Sequence, residues 1–404
     1  MFENFDSTLM IKIKKFGYLL VLVAPAVQVL SWYLAMLRPE QSTFWAFFPV
    51  IFVFGLVPVA DYLIGKDPSN PDEDADVPAL NAERIYRWFT LAMLPVYLAF
   101  IAFAGWVFAG ANGFAGFGDI AGAGGFQGFT AIGQIGWLLS TGTMGGIIAI
   151  NVGHELIHKE PRLENWAGGL LYASVNYATF KVEHIRGHHV HVSTPADASS
   201  SRYDQSLYAF VPQALVRNFM AGWRLQKEYL ARKGKSLLSF ENELIWWYAC
   251  SIGFGAGFYA AFGWMGVAFY VAQGFIAGLT LEIINYIEHY GLHRRQLENG
   301  RYESVTPAHS WNSNYLLTNL FLFQLQRHSD HHAYARRRYQ VLRHYEDSPQ
   351  LPAGYATMFV LAFFPPLWKR VMNPRVEAYY KGETDQLFRK GQTVRATAIP
   401  AAGR

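Results

Sequence analysis

Three short histidine clusters, which we call boxes, contain the residues whose type and spacing could do chemistry. Box 1 is residues 154–159 (HELIHK), box 2 is residues 183–189 (EHIRGHH) and box 3 is residues 328–332 (HSDHH). Together they hold eight of the chain's 13 histidines. Imidazole is the commonest protein ligand for metals and suits iron, zinc, copper and nickel. Scattered surface or core histidines explain three such clusters poorly, so the boxes predict a metal-binding protein.

The spacing inside the boxes indicates more than one metal ion. Residues four apart share one face of a helix, and boxes 1 and 2 each contain such a pair of histidines. The pairs are His154 with His158 and His184 with His188. Neighbouring histidines such as His331 and His332 instead point about 100° apart on a helix, so one ion cannot readily take both. Boxes 2 and 3 both end in a neighbouring pair, so we expect two ions.

Four acids lie beside the candidate ligands in the sequence. They are Glu155, Glu183, Glu288 and Asp330. We expect each carboxylate to accept a hydrogen bond from the ring N–H that a metal-bound imidazole leaves free. Glu155 and His158 form a Glu-x-x-His pair, but a ferritin-like carboxylate site needs that pair on two helices. The boxes therefore predict a site built from imidazole, with carboxylates around it.

Two other functions use some of the same residues. Box 1 is a literal His-Glu-x-x-His, the pattern of zinc proteases, but a protease needs one further ligand and leaves boxes 2 and 3 without a role. A histidine-rich metal transporter would need ionisable residues near the middle of the membrane. Asp61 and Glu282 are the only candidates, and both lie nearer to the end of an apolar run. Both alternatives are therefore disfavoured.

The composition is that of a membrane protein. Hydrophobic residues make up 52% of the chain and charged residues 16%, whereas soluble domains carry about 25% charged residues. The net charge of +4 is too small to indicate nucleic-acid binding. Cys250 is the single cysteine, which excludes a disulfide framework, a cysteine-based zinc site and a cysteine-ligated iron–sulfur cluster.

Six apolar runs are each long enough to span a bilayer as a helix. They cover residues 16–37, 44–64, 88–109, 132–152, 244–262 and 265–286. Alternate loops are nearly free of lysine and arginine, so the positive-inside rule places the N-terminus, the box segments and the C-terminal part in the cytoplasm. We therefore predict an all-α integral membrane protein with six transmembrane helices and a cytoplasmic helical cap that carries the boxes.

The chain is predicted to form one membrane-embedded domain over residues 1–382, followed by a tail or linker at 383–404. Residues 110–130 are rich in glycine and phenylalanine and are predicted to form a flexible external loop. Within them, residues 116–121 (GFGDIA) fit the dinucleotide-binding fingerprint. No strand precedes that segment, so we reject the nucleotide-binding interpretation.

The boxes, together with residues 285–292 (NYIEHYGL), resemble those of the membrane alkane monooxygenases. The wider superfamily includes membrane fatty-acid desaturases, hydroxylases and xylene monooxygenase. The resemblance covers about residues 16–373. The Glu-His-Tyr-Gly segment and residues 325–328 (LQRH) favour the alkane branch.

The resemblance implies a non-haem centre of two iron ions in a bacterial cytoplasmic membrane, with the active site facing the cytoplasm. The implied reaction uses O2 and two electrons to hydroxylate the terminal methyl of an n-alkane to a 1-alkanol. Rubredoxin, together with rubredoxin reductase, is the implied electron donor. A membrane fatty-acyl desaturase or hydroxylase and a xylene-type monooxygenase stay open as alternatives.

Carried over residue by residue, the resemblance implies nine iron ligands, which would suit a division into five and four. They are His154, His158, His184, His188, His189, His289, His328, His331 and His332. His289 lies outside the boxes, and as the ninth ligand it would let one iron reach five. Four histidines fall outside the pattern and are predicted to be structural or surface residues: His191, His293, His309 and His344.

Six arginines that follow box 3 or His289 could form a basic surface. They are Arg294, Arg295, Arg336, Arg337, Arg338 and Arg343. Such a surface near the irons would steer an acidic rubredoxin. Contact with membrane lipid headgroups and the positive-inside bias explain the same arginines equally well.

An n-alkane carries no polar group, so its recognition requires a narrow apolar tunnel. We expect this tunnel between the spans that end at His154 and His289. Small residues in these spans either line voids or let helices pack closely. The candidates are Gly145, Gly146, Gly153 and Gly278.

Overall fold

The computed structural model describes residues 7–110 and 128–382, and every named element in these ranges is helical. In chain order the helices are α1 (Leu9–Leu37), α2 (Pro39–Ile64), α3 (Asp76–Ala82), α4 (Arg84–Gly110), α5 (Ala131–Ile157), α6 (Arg162–Ser174), α7 (residues 180–191), α8 (Leu207–Arg232), α9 (Glu243–His289), α10 (Leu316–Phe321), α11 (His328–Ala333), α12 (Tyr355–Ala362) and α13 (Pro365–Tyr379). The predicted tail at 383–404 lies outside the described residues, as does most of the predicted loop at 110–130, including residues 116–121. The prediction of an all-α protein is confirmed for the part that is described.

Five of these helices are long and apolar enough to cross a membrane: α1, α2, α4, α5 and α9. Each contains the run of about 20 predominantly apolar residues that a bilayer span requires. The first four correspond to the first four predicted runs. Helix α9 contains both of the last two runs, at residues 244–262 and 265–286. The predicted membrane character is therefore confirmed by five candidate spans, one of which holds two apolar runs.

Helix α9 folds back on itself at Gly263. The backbone there has φ 62° and ψ −155°, a region that is essentially restricted to glycine. At the start of α9, Glu243 Oε1 lies 2.8 Å from Arg186 Nη2 in box 2. At its end, the His289 ring lies 4.8 Å from that of His188, also in box 2. A straight helix of 47 residues would hold its ends about 70 Å apart, so the two halves of α9 run back beside each other.

Helix α5 is the most enclosed of the five, with 83% of its most apolar stretch buried, against 17% for α2. Glycines let its neighbours approach closely. A Cβ at Gly136 would lie 2.5 Å from the Phe47 ring of α2, and one at Gly142 would lie 2.4 Å from Ile276 of α9. Close approach through glycine is a common way to pack membrane helices. The C-terminal turn of α5, which carries box 1, is thereby held at the centre of the bundle.

A buried carboxylate joins three segments at the end of the bundle where the boxes lie. Glu164 of α6 is fully buried, pairs with Arg87 of α4 and accepts a hydrogen bond from Arg338 Nη1 at 2.8 Å. A charge out of water is tolerated only when it is paired and hydrogen-bonded. The two arginines therefore fix α4, α6 and the segment after box 3 against one another.

We expect Gly263→Val to destabilise the fold, because a β-branched residue in this backbone region costs about 1–3 kcal/mol. The midpoint of thermal unfolding of the purified protein should fall. Gly257→Ala is the matched control, since Gly257 is an exposed helical position of α9 with no atom within 4 Å of an added Cβ. An unchanged midpoint for Gly263→Val would contradict the backbone geometry at this corner.

Candidate metal centre

The boxes are carried by three helix segments that meet at one end of the bundle. Box 1 begins in the last turn of α5, box 2 forms most of α7, and box 3 lies in the six-residue helix α11. His289, the last residue of α9, reaches the same place. The nine predicted ligands come from distant parts of the chain, and the fold brings all of them together.

The nine histidines form two clusters. The five-histidine cluster is His154, His158, His184, His189 and His331, and the four-histidine cluster is His188, His289, His328 and His332. Within each cluster the candidate ligand atoms all lie within 4.8 Å of one another. This division into five and four agrees with the sequence analysis. It also separates neighbours, because His188 and His189 fall in different clusters, as do His331 and His332.

The spacing of ring nitrogens fits metal binding. His184 Nε2 lies 3.1 Å from His158 Nε2 and 3.0 Å from His189 Nε2. In the other cluster His332 Nε2 lies 2.9 Å from His328 Nε2. Two nitrogens that bind one ion about 2.1 Å away at a right angle are themselves about 3 Å apart. The spacing in each cluster is therefore the spacing that ligands of one shared ion would have.

Box 2 pairs its histidines differently from the expected α-helical pattern. His184–His188 is a π-helical turn, in which residues five apart, rather than four apart, come into register. His184 consequently shares a cluster with His189, while His188 faces the other cluster. The expectation that His184 and His188 act from one face is wrong for metal binding, because it assumed an α-helix. The α-helical pair of box 1, His154 with His158, does share a cluster.

His289 belongs to the smaller cluster. Its Nδ1 lies 3.4 Å from the carbonyl oxygen of His309 and 3.4 Å from Ser310 Oγ. Its Nε2 is buried and has no hydrogen-bond partner among the described residues. From the sequence, His289 is expected to bring one site to five histidines. In the structure the five-histidine cluster comes from the boxes alone, and His289 raises the smaller cluster from three to four.

Burial keeps these imidazoles neutral. Desolvation, reinforced by the neighbouring rings, lowers the pKa of the cluster histidines outside the membrane-spanning helices well below the usual range. These are His158, His184, His189, His328, His331 and His332. A neutral imidazole has the free lone pair that a metal requires. The environment therefore prepares the rings for ligation at neutral pH.

Asp197 is a functional residue that the sequence analysis missed. The Nδ1–H of His188 donates to Asp197 Oδ2 at 2.9 Å, and both side chains are fully buried. Burial opposes the charge, but the His188 ring and the hydroxyl of Ser200, which donates at 2.5 Å, hold the pKa of Asp197 below its usual range. This contact orients His188 so that Nε2 faces the cluster, a common arrangement around metal-bound histidine. The only sequence signal was an acid in the serine-containing segment after box 2.

Two of the four acids named from the sequence have other partners. Glu155 Oε1 lies 3.0 Å from Lys159 Nζ and accepts the backbone N–H of Tyr339. Asp330 Oδ2 accepts the backbone N–H of Arg343 at 2.9 Å. In the described contacts no imidazole N–H donates to either carboxylate; a lysine or a backbone N–H beside each box contacts it. They hold boxes 1 and 3 in place instead.

Glu183 and Glu288 are both buried beside the clusters. Glu183 Oε2 has no hydrogen-bond partner in the described part of the chain. Glu288 Oε1 accepts from the Tyr355 hydroxyl at 2.9 Å, and its Oε2 lies 3.2 Å from His328 Nε2. That nitrogen is the one that faces the cluster, so Glu288 lies on the open side of the site rather than behind a ligand.

An apolar path leads away from the clusters. An inner cavity of about 40 Å³ is lined by His154, His184, His328 and Glu288, by apolar side chains and by the polar Asn151, Thr280 and Asn285. It shares Gly146 with a middle cavity of about 80 Å³. The middle cavity in turn borders an outer groove of about 630 Å³ between α2, α5, α8, α9 and α12.

Only one of the four glycines suggested for a tunnel lines the path, namely Gly146. The other three pack against aromatic side chains. A Cβ would lie 2.8 Å from the Tyr97 hydroxyl at Gly145, 3.3 Å from the Tyr172 ring at Gly153 and 3.2 Å from the Tyr177 ring at Gly278. The path does run between α5 and α9, as expected.

Most of the six arginines proposed for a basic surface bind within the protein. Arg337 pairs with Asp330 and Glu73, Arg338 with Glu164, and Arg343 with Glu73. Arg294 is buried and donates to the carbonyl oxygens of Glu303 and Val190. Arg295 and Arg336 are the exposed members, and the Arg336 side chain is 88% exposed. The basic surface is therefore smaller than the sequence predicted.

We expect Asp197→Ala to weaken metal binding about 10–100-fold, because an unsupported His188 ring can turn away from the cluster. Metal content after dialysis against graded chelator measures the change. Asp204→Ala is the control, since Asp204 is a partly exposed acid that pairs with Lys369. Equal metal retention in both variants would show that Asp197 does not support the site.

Comparison with known proteins agrees with this geometry. The fatty acid desaturase family model matches residues 128–362, which include all three boxes and His289. Alkane 1-monooxygenase 2 of Alcanivorax borkumensis is 60% identical over 98% of this chain and 99% of its own length. Alkane 1-monooxygenase 2 of Pseudomonas aeruginosa is 54% identical over 96% of this chain and 98% of its own.

A more distant relative is similar over a smaller part of the chain. The xylene/toluene monooxygenase hydroxylase component XylM of Pseudomonas putida is 28% identical over 58% of this chain and 62% of its own length. Together with the histidine clusters, these relationships indicate a non-haem iron centre. The chain is thus a member of the alkane 1-monooxygenases and carries the fatty acid desaturase family domain.

Proposed function

We propose that this protein hydroxylates the terminal methyl of n-alkanes to 1-alkanols, using O2 and two electrons from rubredoxin, at a centre of two non-haem iron ions. The observation that carries the proposal is the pair of all-imidazole clusters at the inner end of an apolar path. The alkane 1-monooxygenases at 60% and 54% identity support the same substrate class. The geometry and the relatives agree: the clusters contain only histidine, and the path that leads to them is apolar, as a hydrocarbon substrate requires.

The proposed ligands are the nine clustered histidines, five for one iron and four for the other. Neither cluster includes a carboxylate among its members, and imidazole is a suitable ligand for iron. Four or five nitrogens leave at least one position open on each ion, which O2 chemistry requires. When bound, the iron pair supplies the oxidising power that breaks an unactivated C–H bond.

The protein's own contribution is to position the substrate and to exclude water. The side chains around the middle cavity, such as Phe52, Val57 and Phe321, offer contact to a methylene chain. The inner cavity is the smallest part of the path, at about 40 Å³. A linear chain that enters from the outer groove would therefore present one end, its methyl, to the clusters. This shape supports attack at the terminal carbon.

The same path disfavours a fatty-acyl substrate. An acyl ester or thioester carries a polar group that would need polar or charged partners away from the clusters. The described lining of the outer groove contains no charged side chain, and Tyr208 and two threonines supply its hydroxyl groups. A hydrocarbon needs no such partners.

Asp61 and Glu282 are the acids that a metal transporter would require. Asp61 is instead hydrogen-bonded to Thr318, and Glu282 to Asn218.

We place residues 1–382 in one domain with six spans, counting α9 as two, in a bacterial cytoplasmic membrane. Both ends of α9 lie at box 2, which supports two crossings. The loop between α2 and α4 lies on the same side as the boxes, since Glu73 contacts Arg337 and Arg343. The basic residues near the boxes support a cytoplasmic location for this side, where an electron donor could reach it.

The test of the metal centre is His289→Ala. We expect iron content to fall below two per chain and octane hydroxylation to be lost, because the smaller cluster would keep only three histidines. The protein should still be recovered from the membrane fraction. Iron per chain and gas chromatography of 1-octanol are the measurements.

His191→Gln is the matched control for that experiment. His191 lies in α7 beside box 2 but in neither cluster, so it should keep iron and activity. Full iron occupancy and normal turnover in His289→Ala would show that eight histidines suffice. Conversion of acyl chains in preference to octane by the unmodified protein would favour the desaturase alternative.

We also expect Arg336→Gln to weaken the use of an acidic rubredoxin. The apparent KM for rubredoxin should rise severalfold at low salt and depend less on ionic strength, while kcat at saturating donor stays the same. Arg370→Gln, an exposed arginine on α13, removes the same charge elsewhere and is the control. Identical salt dependence in the two variants would rule out Arg336 as a docking residue.

A further inference from the structure

A buried cluster of three charges lies next to box 3. Asp67, in the loop after α2, accepts a hydrogen bond from Lys14 Nζ of α1 at 2.5 Å and one from Arg327 Nη2 at 3.1 Å. The Asp67 and Arg327 side chains are fully buried, and that of Lys14 is 4% exposed. Ser69 completes the cluster by donating its hydroxyl to Asp67 at 2.7 Å. We call these four residues the Asp67 cluster.

Arg327 connects this cluster to the metal ligands. Its guanidinium also donates to Asn314 Oδ1 at 3.1 Å and to the carbonyl oxygens of Leu342 at 2.7 Å and Ser69 at 2.6 Å. The same residue directly precedes α11, and its carbonyl oxygen accepts the backbone N–H of His331 at 3.2 Å. The position of the Arg327 side chain therefore sets where α11 begins.

Helix α11 depends on such an anchor because it is only six residues long and has no side-chain cap at its start. Helices of this length are not stable alone. Yet α11 supplies His331 to the five-histidine cluster and His328 and His332 to the four-histidine cluster. A small rotation of this helix would displace ligands in both clusters at once.

We propose that Asp67 is a positioning residue for both metal sites, acting through Arg327 on the orientation of α11. Asp67 contacts no cluster histidine in the described contacts, so it is not itself a ligand. Burial opposes its charge, but Lys14 and Arg327 hold the pKa of Asp67 below its usual range, and the carboxylate stays charged at neutral pH. The inference rests on the proposed metal binding and not on the choice of substrate.

The charges predict different outcomes for different substitutions. Asp67→Asn removes the anion and leaves Lys14 and Arg327 buried without a counter-charge, which is strongly unfavourable. Lys14→Met removes one cation and leaves Asp67 and Arg327 as a balanced pair. The double variant Lys14→Met/Asp67→Asn keeps the original net charge of the cluster, at one positive, but still leaves Arg327 without its carboxylate.

The experiment compares these three full-length variants with the unmodified protein after anaerobic loading with ⁵⁷Fe(II). Iron per chain, retention against a chelator and the Mössbauer signals of the two sites are the measurements. We expect Asp67→Asn and the double variant to lose iron about tenfold more readily from both sites. Lys14→Met should keep both signals unchanged. Thermal unfolding of the iron-free proteins separates general stability from metal binding.

Three outcomes would overturn the inference. The first is full iron retention in Asp67→Asn. The second is recovery of iron binding in the double variant, because Asp67 would then act through the net charge of the cluster and not by anchoring Arg327. The third is loss of a single site. If Asp67→Asn cannot be purified, Ser69→Ala replaces it as the test. This variant keeps all three charges and removes one hydrogen bond to Asp67, so iron binding at both sites should weaken about two- to fivefold.

The same data separate this inference from the proposed function. An unmodified protein that binds fewer than two iron ions per chain would contradict the proposed centre itself. Two iron ions in the unmodified protein and in Asp67→Asn alike would contradict only the positioning role.

Discussion

The structure around the boxes depends on buried imidazole nitrogens, which cannot all find hydrogen-bond partners within the protein. Nine rings lie so close that Nε2 atoms within a cluster approach to about 3 Å, and burial lowers the pKa of rings such as His184 and His332 well below the usual range. A buried nitrogen without a partner costs free energy, as His289 Nε2 illustrates. The surrounding ion pairs and hydrogen bonds hold the rings in this costly arrangement, which metal binding would relieve. The metal centre and the local fold are therefore mutually dependent.

The histidines that the fold brings together could be predicted from the sequence because histidine type and clustering are visible there. The sequence suggested a division of the histidines into five and four, but it did not show which histidine belongs to which group. His184 and His188 are four apart, and nothing in the sequence signals that the turn between them is π-helical rather than α-helical. His289 was identified through the resemblance of its flanking residues, but its place in the smaller cluster follows from how α9 meets α7.

The supporting residues were harder to predict because their partners are set by tertiary structure. Arg338 and Glu164 are 174 positions apart, and Arg327 and Asp67 are 260 apart. The sequence shows such residues only as surface charge, so the arginines after box 3 fit a docking surface and the positive-inside bias equally well. Asp197 lies nine positions from His188, yet the loop between them gives no periodic signal. The five candidate spans could be predicted, since an apolar run is visible without knowledge of its neighbours.

The reversal of α9 at Gly263 has a consequence for how the protein is made. The two halves must fold together as a hairpin, because the corner between them is a single residue. His289 ends that hairpin and box 3 follows it in the chain, so the smaller cluster stays incomplete until both are in place. Before then, only the histidines of boxes 1 and 2 are in place. Both clusters are completed by residues that follow Gly263, so a metal centre built from them would form only after the two halves of α9 have folded against each other.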